Sequence, residues 1–257
     1  MLDFLRKEGV NSRLIQELAD FREQYPAESG LKDRIRMPRY LYYGTNIWEE
    51  ALAALLSGEH LLLTGPKATG KNVFAENLAA AFGRPLFNIS LSINTDAASL
   101  IGSDTFKNGE VVFREGPVSQ SARLGGFGVL DEINMAKNEA LAILHEALDF
   151  RDSIDIPGYG RTELHPASRF IATMNYGYAG TRELNEALAS RFVVIDMPAI
   201  SEDSLNRLLE KEFPTLSSEW KDQFCKLFQE LQAKCESAQI SPKALDLRGL
   251  LAAIRLM

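Results

Sequence analysis

The run Gly65-Pro66-Lys67-Ala68-Thr69-Gly70-Lys71-Asn72 constrains this chain more than any other segment. It follows the apolar stretch Leu61-Leu62-Leu63-Thr64 and opens into the helix-compatible stretch Val73 to Ala81. Strand, glycine-bounded loop and helix form the setting of a phosphate-binding P-loop. The glycines let the backbone turn N–H groups inward around a phosphate, and the helix N-terminus adds partial positive charge. Lys71 is placed to reach the β- and γ-phosphates of a nucleotide. Asn72 departs from the pattern, standing where Ser or Thr offers a hydroxyl to Mg²⁺. Mg²⁺ demands tight octahedral geometry, and a carboxamide oxygen sits one bond further from the backbone than a hydroxyl. The expectation is that nucleotide binding survives while Mg²⁺ affinity and turnover are reduced.

Other apolar runs give this loop a context. Leu86-Phe87-Asn88-Ile89, Phe127-Gly128-Val129-Leu130, Phe170-Ile171-Ala172-Thr173 and Phe192-Val193-Val194-Ile195 read as further short strands. Helical patterns lie between them, notably Asn138 to Leu148 and Arg182 to Ala189, with another from Asn46 to Leu56 ahead of the first strand. Alternating strand and helix signals predict an α/β fold, a parallel sheet covered by helices on both faces. Ligands of such sheets bind beyond the carboxyl ends of the strands. The Gly65 loop, Asp131-Glu132 and Asn175 all fall there. Two hairpins interrupt the alternation, residues 105–113 with an Asn108-Gly109 turn and residues 153–164 with a looser one. From Ser201 onward the pattern is helical only. This predicts a small C-terminal lid whose last helix holds Leu247, Leu250, Leu251, Ile254 and Leu256. Residues 1–40 read as an N-terminal helical extension, 41–198 as the core and 199–257 as the lid.

With 257 residues the chain can bury a full core, and a formal charge of −7 creates no global basic field for nucleic acid or anionic lipid. A local basic stripe at Lys32, Arg34, Arg36 and Arg39 reads best as a solvated helix end or linker. No apolar run approaches a membrane span, and the first residues do not resemble a signal peptide. Cys225 and Cys235 are too far apart along one predicted helix to bridge easily, which points to a reducing, cytoplasmic setting. His60, His145 and His165 are scattered, and none reads as a metal ligand.

Cleavage of a phosphoanhydride by water needs a Mg²⁺ holder and a group that orients the water. Asp131, at the end of a buried strand, suits the first role through metal-bound water, and Glu132 suits the second. Asn175 can hydrogen-bond the γ-phosphate or the water, although an Asn at a strand end is often a turn residue. Arg191, at a helix-to-strand junction, is either a surface cation near a helix C-terminus or an arginine finger for a nucleotide on an adjacent subunit. Arg248, near the start of the final helix, is either an exposed helix charge or a bridge from lid to phosphates.

In the order Gly65–Lys71, Leu130-Asp131-Glu132, Thr173-Met174-Asn175, Ser190-Arg191-Phe192 and Leu247-Arg248-Gly249 the chain resembles an AAA+ ATPase. Within that superfamily it is most similar to the MoxR group and its CbbQ/NorQ-like relatives. Leu100-Ile101-Gly102, Gly116-Pro117-Val118 and Asp131-Glu132-Ile133-Asn134 with Ala136 follow that group's spacing. The hairpins fall where the group carries its helix-2 insert and its pre-sensor-1 hairpin. The similarity spans roughly residues 40 to 257. It implies a P-loop NTPase sheet between helices with a helical lid, and ATP and Mg²⁺ as ligands. It implies nucleotide contacts from Gly65, Pro66, Lys67, Ala68, Thr69, Gly70, Lys71, Asn72 and Val73, joined by Tyr43 and Gly44. Metal contacts fall to Asn72 and Asp131, and catalytic roles to Glu132, Asn175, Arg191 and Arg248. It also implies a homo-oligomer, usually a hexameric ring, that remodels a protein partner, often beside a von Willebrand factor A domain protein.

Three other readings compete. Asn72 suits a nucleotide-gated scaffold with weak hydrolysis. A nucleic-acid-associated subunit of the same superfamily is opposed by the acidic balance. An unrelated P-loop kinase leaves Asp131-Glu132, Asn175 and Arg191 unexplained.

Overall fold

The computed structural model describes residues 1–175, 183–241 and 244–256. The chain begins with helices α1 (Leu2–Lys7), α2 (Ser12–Gln24) and α3 (Thr45–Leu56), then enters β1 (Leu61–Thr64), α4 (Lys71–Phe82) and β2 (Leu86–Ser90). A short helix α5 (Ala97–Ile101), the hairpin β3 (Gly102–Lys107) and β4 (Glu110–Glu115), and α6 (Pro117–Arg123) lead to β5 (Phe127–Asp131). Then come α7 (Asn138–Leu141), α8 (Leu144–Ala147), a second hairpin of β6 (Ser153–Ile156) and β7 (Gly160–Glu163), and β8 (Arg169–Thr173). After α9 (Glu186–Ala189) and β9 (Val193–Asp196), the helices α10 (Glu202–Glu212), α11 (Ser218–Glu236) and α12 (Leu247–Arg255) form the lid.

Among the described residues, five strands make one parallel sheet in the order β2-β5-β8-β1-β9. The α/β architecture, a parallel sheet sandwiched by helices with a helical lid, is the one the alternation predicts. Successive side chains of a strand point to opposite faces, and β1 divides its leucines accordingly. Leu61 and Leu63 join one core with Trp48, Phe74 and Phe82. Leu62 joins the other with Leu130, Leu144 and Phe170. Both faces are dry, so β1 and β8 read as continuous apolar runs rather than alternating ones. A third cluster, with Leu205, Leu209, Phe228 and Leu251, holds the lid together, and Tyr40 and Tyr43 pack against it.

The segment before α3 carries the helices α1 and α2, and it packs into the body of the molecule: Leu5, Val10, Ile15, Leu18 and Phe21 are buried in the same core as Phe74 and Phe82. Several sequence expectations are corrected here. The helix expected over 138–148 breaks between α7 and α8. That expected over 182–189 is helical only in α9, and Arg182 lies outside the described residues. Leu256 does not join the lid core, being 90% exposed beyond the end of α12. Both hairpins form, the first with left-handed Asn108 and Gly109 at its turn. They touch each other: the Phe113 and Tyr159 rings lie 4.5 Å apart and the Tyr159 hydroxyl donates to Asp104.

His60 is a core residue. Its Nδ1 accepts the Phe170 N–H at 3.1 Å, and burial pushes the imidazole down to about 4, so it stays neutral. Cys225 and Cys235 are free thiols. Among the described residues no helix is long and apolar enough to cross a membrane.

Candidate active site

The loop after β1 is built on backbone shapes that few side chains tolerate. Gly65 has φ +137°, and a Cβ there would lie 2.7 Å from the carbonyl oxygen of Met197, the residue after β9, so the backbone there closes off any larger residue. Ala68 and Gly70 also have positive φ, which swings the chain back into α4. Gly70 caps α4 with no side-chain hydrogen bond, leaving the amides of the first turn without a side-chain acceptor from the cap. Inside this curl the Lys71 ammonium donates to the carbonyls of Gly65 (2.9 Å) and Pro66 (2.6 Å) and to Thr69 Oγ1 (3.2 Å). Burial pushes its pKa down to about 8 against the opposing pull of Asp131, Asp196 and Glu132.

Parallel pairing of β5 and β8 brings the two acidic residues to the same rim. The Thr173 hydroxyl donates to Asp131 Oδ1 at 2.7 Å and accepts the Glu132 N–H at 3.1 Å. One hydroxyl therefore fixes both carboxylate-bearing residues. Glu132 sits at φ +56°, a left-handed conformation that a non-glycine residue holds only when its surroundings enforce it. Asn175 donates to Glu132 Oε1 at 3.4 Å, and Asn134 donates to the Asn175 carbonyl at 2.9 Å. Thr173 and Asn134 belong to this network, although the sequence assigns neither a role. A threonine ending a buried strand carries no pattern that distinguishes it from core filler.

These groups open into a cavity of about 830 Å³. Lys67, Ala68, Thr69, Gly70, Lys71, Asn72 and Val73 line it, as do Tyr43, Gly44, Asp131, Glu132, Asn175 and Arg248. Gly65 and Pro66 stand behind, holding Lys71 through their carbonyls. Arg191 does not line the cavity either, and among the described residues it has no hydrogen bond to the loop. Its guanidinium donates to the carbonyls of His145 (3.2 Å) and Ala187 and meets Asp149 at 3.4 Å. Asp149, hydrogen-bonded chiefly by Arg151, is held well below the usual carboxylate range.

Sequence reading also passed over what supports the rim beside Gly44. Asn77, fully buried on α4, donates to the carbonyls of Tyr40 (2.8 Å) and Val73 (2.7 Å) and accepts the Tyr42 N–H at 3.2 Å. The Trp48 indole donates to the Tyr42 carbonyl at 2.9 Å, and the Tyr42 ring packs on Phe74. An amide set between Phe74-Ala75 and Leu78-Ala79 in a largely apolar helix is the sequence signal for Asn77.

The donor set fits a nucleoside triphosphate with a divalent cation. Loop amides and Lys71 suit phosphate oxygens, and Mg²⁺ characteristically takes one or two protein ligands plus substrate phosphates. Among the described residues no cluster of three or more His, Cys, Asp or Glu could hold a metal unaided.

Residues 60–192, about half the chain, match the family model described as AAA domain (dynein-related subfamily). The chain is 35% identical over 242 residues to the uncharacterised protein YojN of Bacillus subtilis, covering 92% of this chain and 79% of that one. It is likewise 35% identical over 219 residues to an uncharacterised protein of Staphylococcus haemolyticus, covering 83% of each. The crystal structure of a candidate ATPase from Cytophaga hutchinsonii superposes with a TM-score of 0.54 at 17% identity. That match covers 84% of this chain and 58% of the other, a likeness of fold.

Proposed function

Because the chain belongs to the AAA domain family of the dynein-related subfamily, we propose that it is an ATP-hydrolysing AAA+ ring ATPase of MoxR type. Its task is to remodel or activate a protein partner. One observation carries the reading: a single cavity gathers the Lys71 loop, Asp131, Glu132 and Asn175 together with apolar side chains from residues 40–47 and the lid. Amides and ammonium suit phosphates, and Tyr43, Ile47 and Leu208 suit a purine.

Within this site Lys71 exchanges its carbonyl partners for the β- and γ-phosphates. Mg²⁺, when bound, neutralises phosphate charge, and Asn72 and Asp131 are the residues that would hold it, Asp131 through water. Glu132 orients the attacking water, with its carboxylate steered by Asn175 and its backbone by Thr173. Arg248, reaching in from α12, couples the lid to the phosphates. Arg191, which does not line its own cavity, serves a nucleotide bound on the neighbouring subunit. The MoxR assignment, a hexameric ring and a von Willebrand factor A domain partner rest on the motif spacing and the two hairpins.

Glu132→Gln tests the reading. The variant is expected to bind ATP with affinity within about threefold of wild type while its turnover falls at least a hundredfold, the size of effect expected for a positioned base. Wild-type turnover in this variant would refute the site. Asn72 favours a second reading, a nucleotide-gated scaffold, and robust wild-type turnover with Mg²⁺ would exclude it.

A further inference from the structure

The N-terminal helix meets the cavity wall through an ion pair and an aromatic contact. Glu8 closes α1, and its carboxylate is only 3% exposed. Both of its oxygens accept from the Arg207 guanidinium of α10, the second at 3.1 Å. The same guanidinium lies over the Tyr43 ring, 4.1 Å from its centroid. Phe4 of α1 meets that ring edge-on at 5.8 Å, and the Glu8 carbonyl accepts the Thr45 hydroxyl at 2.7 Å. Tyr43 lines the cavity, and so do Ser204 and Leu208, which flank Arg207 on α10. Three segments far apart in sequence therefore converge on one aromatic ring of the cavity wall. Both charged members lie outside residues 60–192.

We propose that Glu8 and Arg207 form a clamp that positions Tyr43 and the lid helix α10 against the bound nucleotide, so that the N-terminal helix sets ATP affinity. This rests on the reading of the cavity as an ATP site. Arg207 acts as a positioning residue: its planar guanidinium satisfies a buried carboxylate on its edge and stacks on an aromatic face at the same time. A lysine ammonium can pair with the carboxylate but has no plane to lay on the ring at the same time. Without the clamp, Tyr43 keeps Phe4 on one side and loses its cationic neighbour, and α10 is no longer tied to α1.

The test uses the full chain. Arg207→Gln alone strands a buried charge and lowers stability, so the deciding variant is the double neutral Glu8→Gln/Arg207→Gln. ATP and ADP affinities are measured by calorimetry, and the melting temperature without nucleotide is recorded alongside. The double variant is expected to melt within a few degrees of wild type yet bind ATP about tenfold more weakly, with KM rising more than kcat falls. Arg207→Lys, which keeps the ion pair and loses the stacking, is expected to weaken ATP binding about threefold, and it decides the matter if the double variant fails to fold. Wild-type ATP affinity in the folded double variant, or in Arg207→Lys if the double is unfolded, would overturn the clamp. A wild-type protein that binds neither ATP nor ADP would instead remove the nucleotide reading beneath it.

Discussion

Lys71 sits among carbonyls of its own loop with its pKa pushed down to about 8 by burial. Phosphates favour its charged form, so binding ATP raises that pKa. Below about pH 8 the amine is protonated whether or not ATP is present, and affinity is level. Above it, binding must restore a proton that the free protein has lost, so Kd rises by up to about tenfold per pH unit. Calorimetry from pH 7 to 9.5 should record this slope together with proton uptake, and a level profile would contradict it. The sequence made Lys71 legible because glycine spacing between strand and helix is a local pattern. Nothing local marked Glu132 as left-handed or Thr173 as the hydroxyl that fixes Asp131 and Glu132. Those facts arise from β5 and β8 lying side by side, a pairing of segments some forty residues apart.

At the scale of elements, α4 does two jobs. Its first turn presents amides at the rim, and its interior holds Asn77, which pins residues 40–42 beside the cavity. Asn77→Ala leaves the Tyr40 carbonyl and Tyr42 amide without that partner, at a cost of about 1–3 kcal/mol for a buried group left unsatisfied. Urea unfolding followed by the fluorescence of buried Trp48 should show a loss of about 2 kcal/mol, with weaker ATP binding because Tyr43 and Gly44 lose their anchor. A change below about 0.5 kcal/mol would show that the anchor is dispensable. Strands β1, β5 and β8 were readable because burial on both faces makes them uninterrupted apolar runs. The break between α7 and α8 was not, because the apolar spacing continues through it. Helices α5 and α6 went unread because each is too short for a periodic pattern; α5 is set by the Asp96–Ser99 capping box, and α6 opens with Pro117 at its first turn.

For the whole molecule, the position of Arg191 is the most consequential. It is held by Asp149 and the His145 carbonyl and does not line its own cavity. In the ring proposed above, Arg191→Ala should cut hydrolysis by about a thousandfold, as loss of an arginine finger does, while ATP affinity stays within about threefold. Mixing this variant with Glu132→Gln protein should restore turnover where a wild-type finger meets a wild-type glutamate. A monomer hydrolysing at full rate would refute the shared site.

The N-terminal helices carry a practical lesson about where this protein can be divided. Five buried apolar side chains of residues 1–24 fill the interior beside Phe74 and Phe82. A fragment trimmed to residues 60–192, the stretch that homology recognises, would leave that hollow lined with bare phenylalanine and leucine. The stretch that the family model matches and the smallest piece with a filled core are therefore different objects.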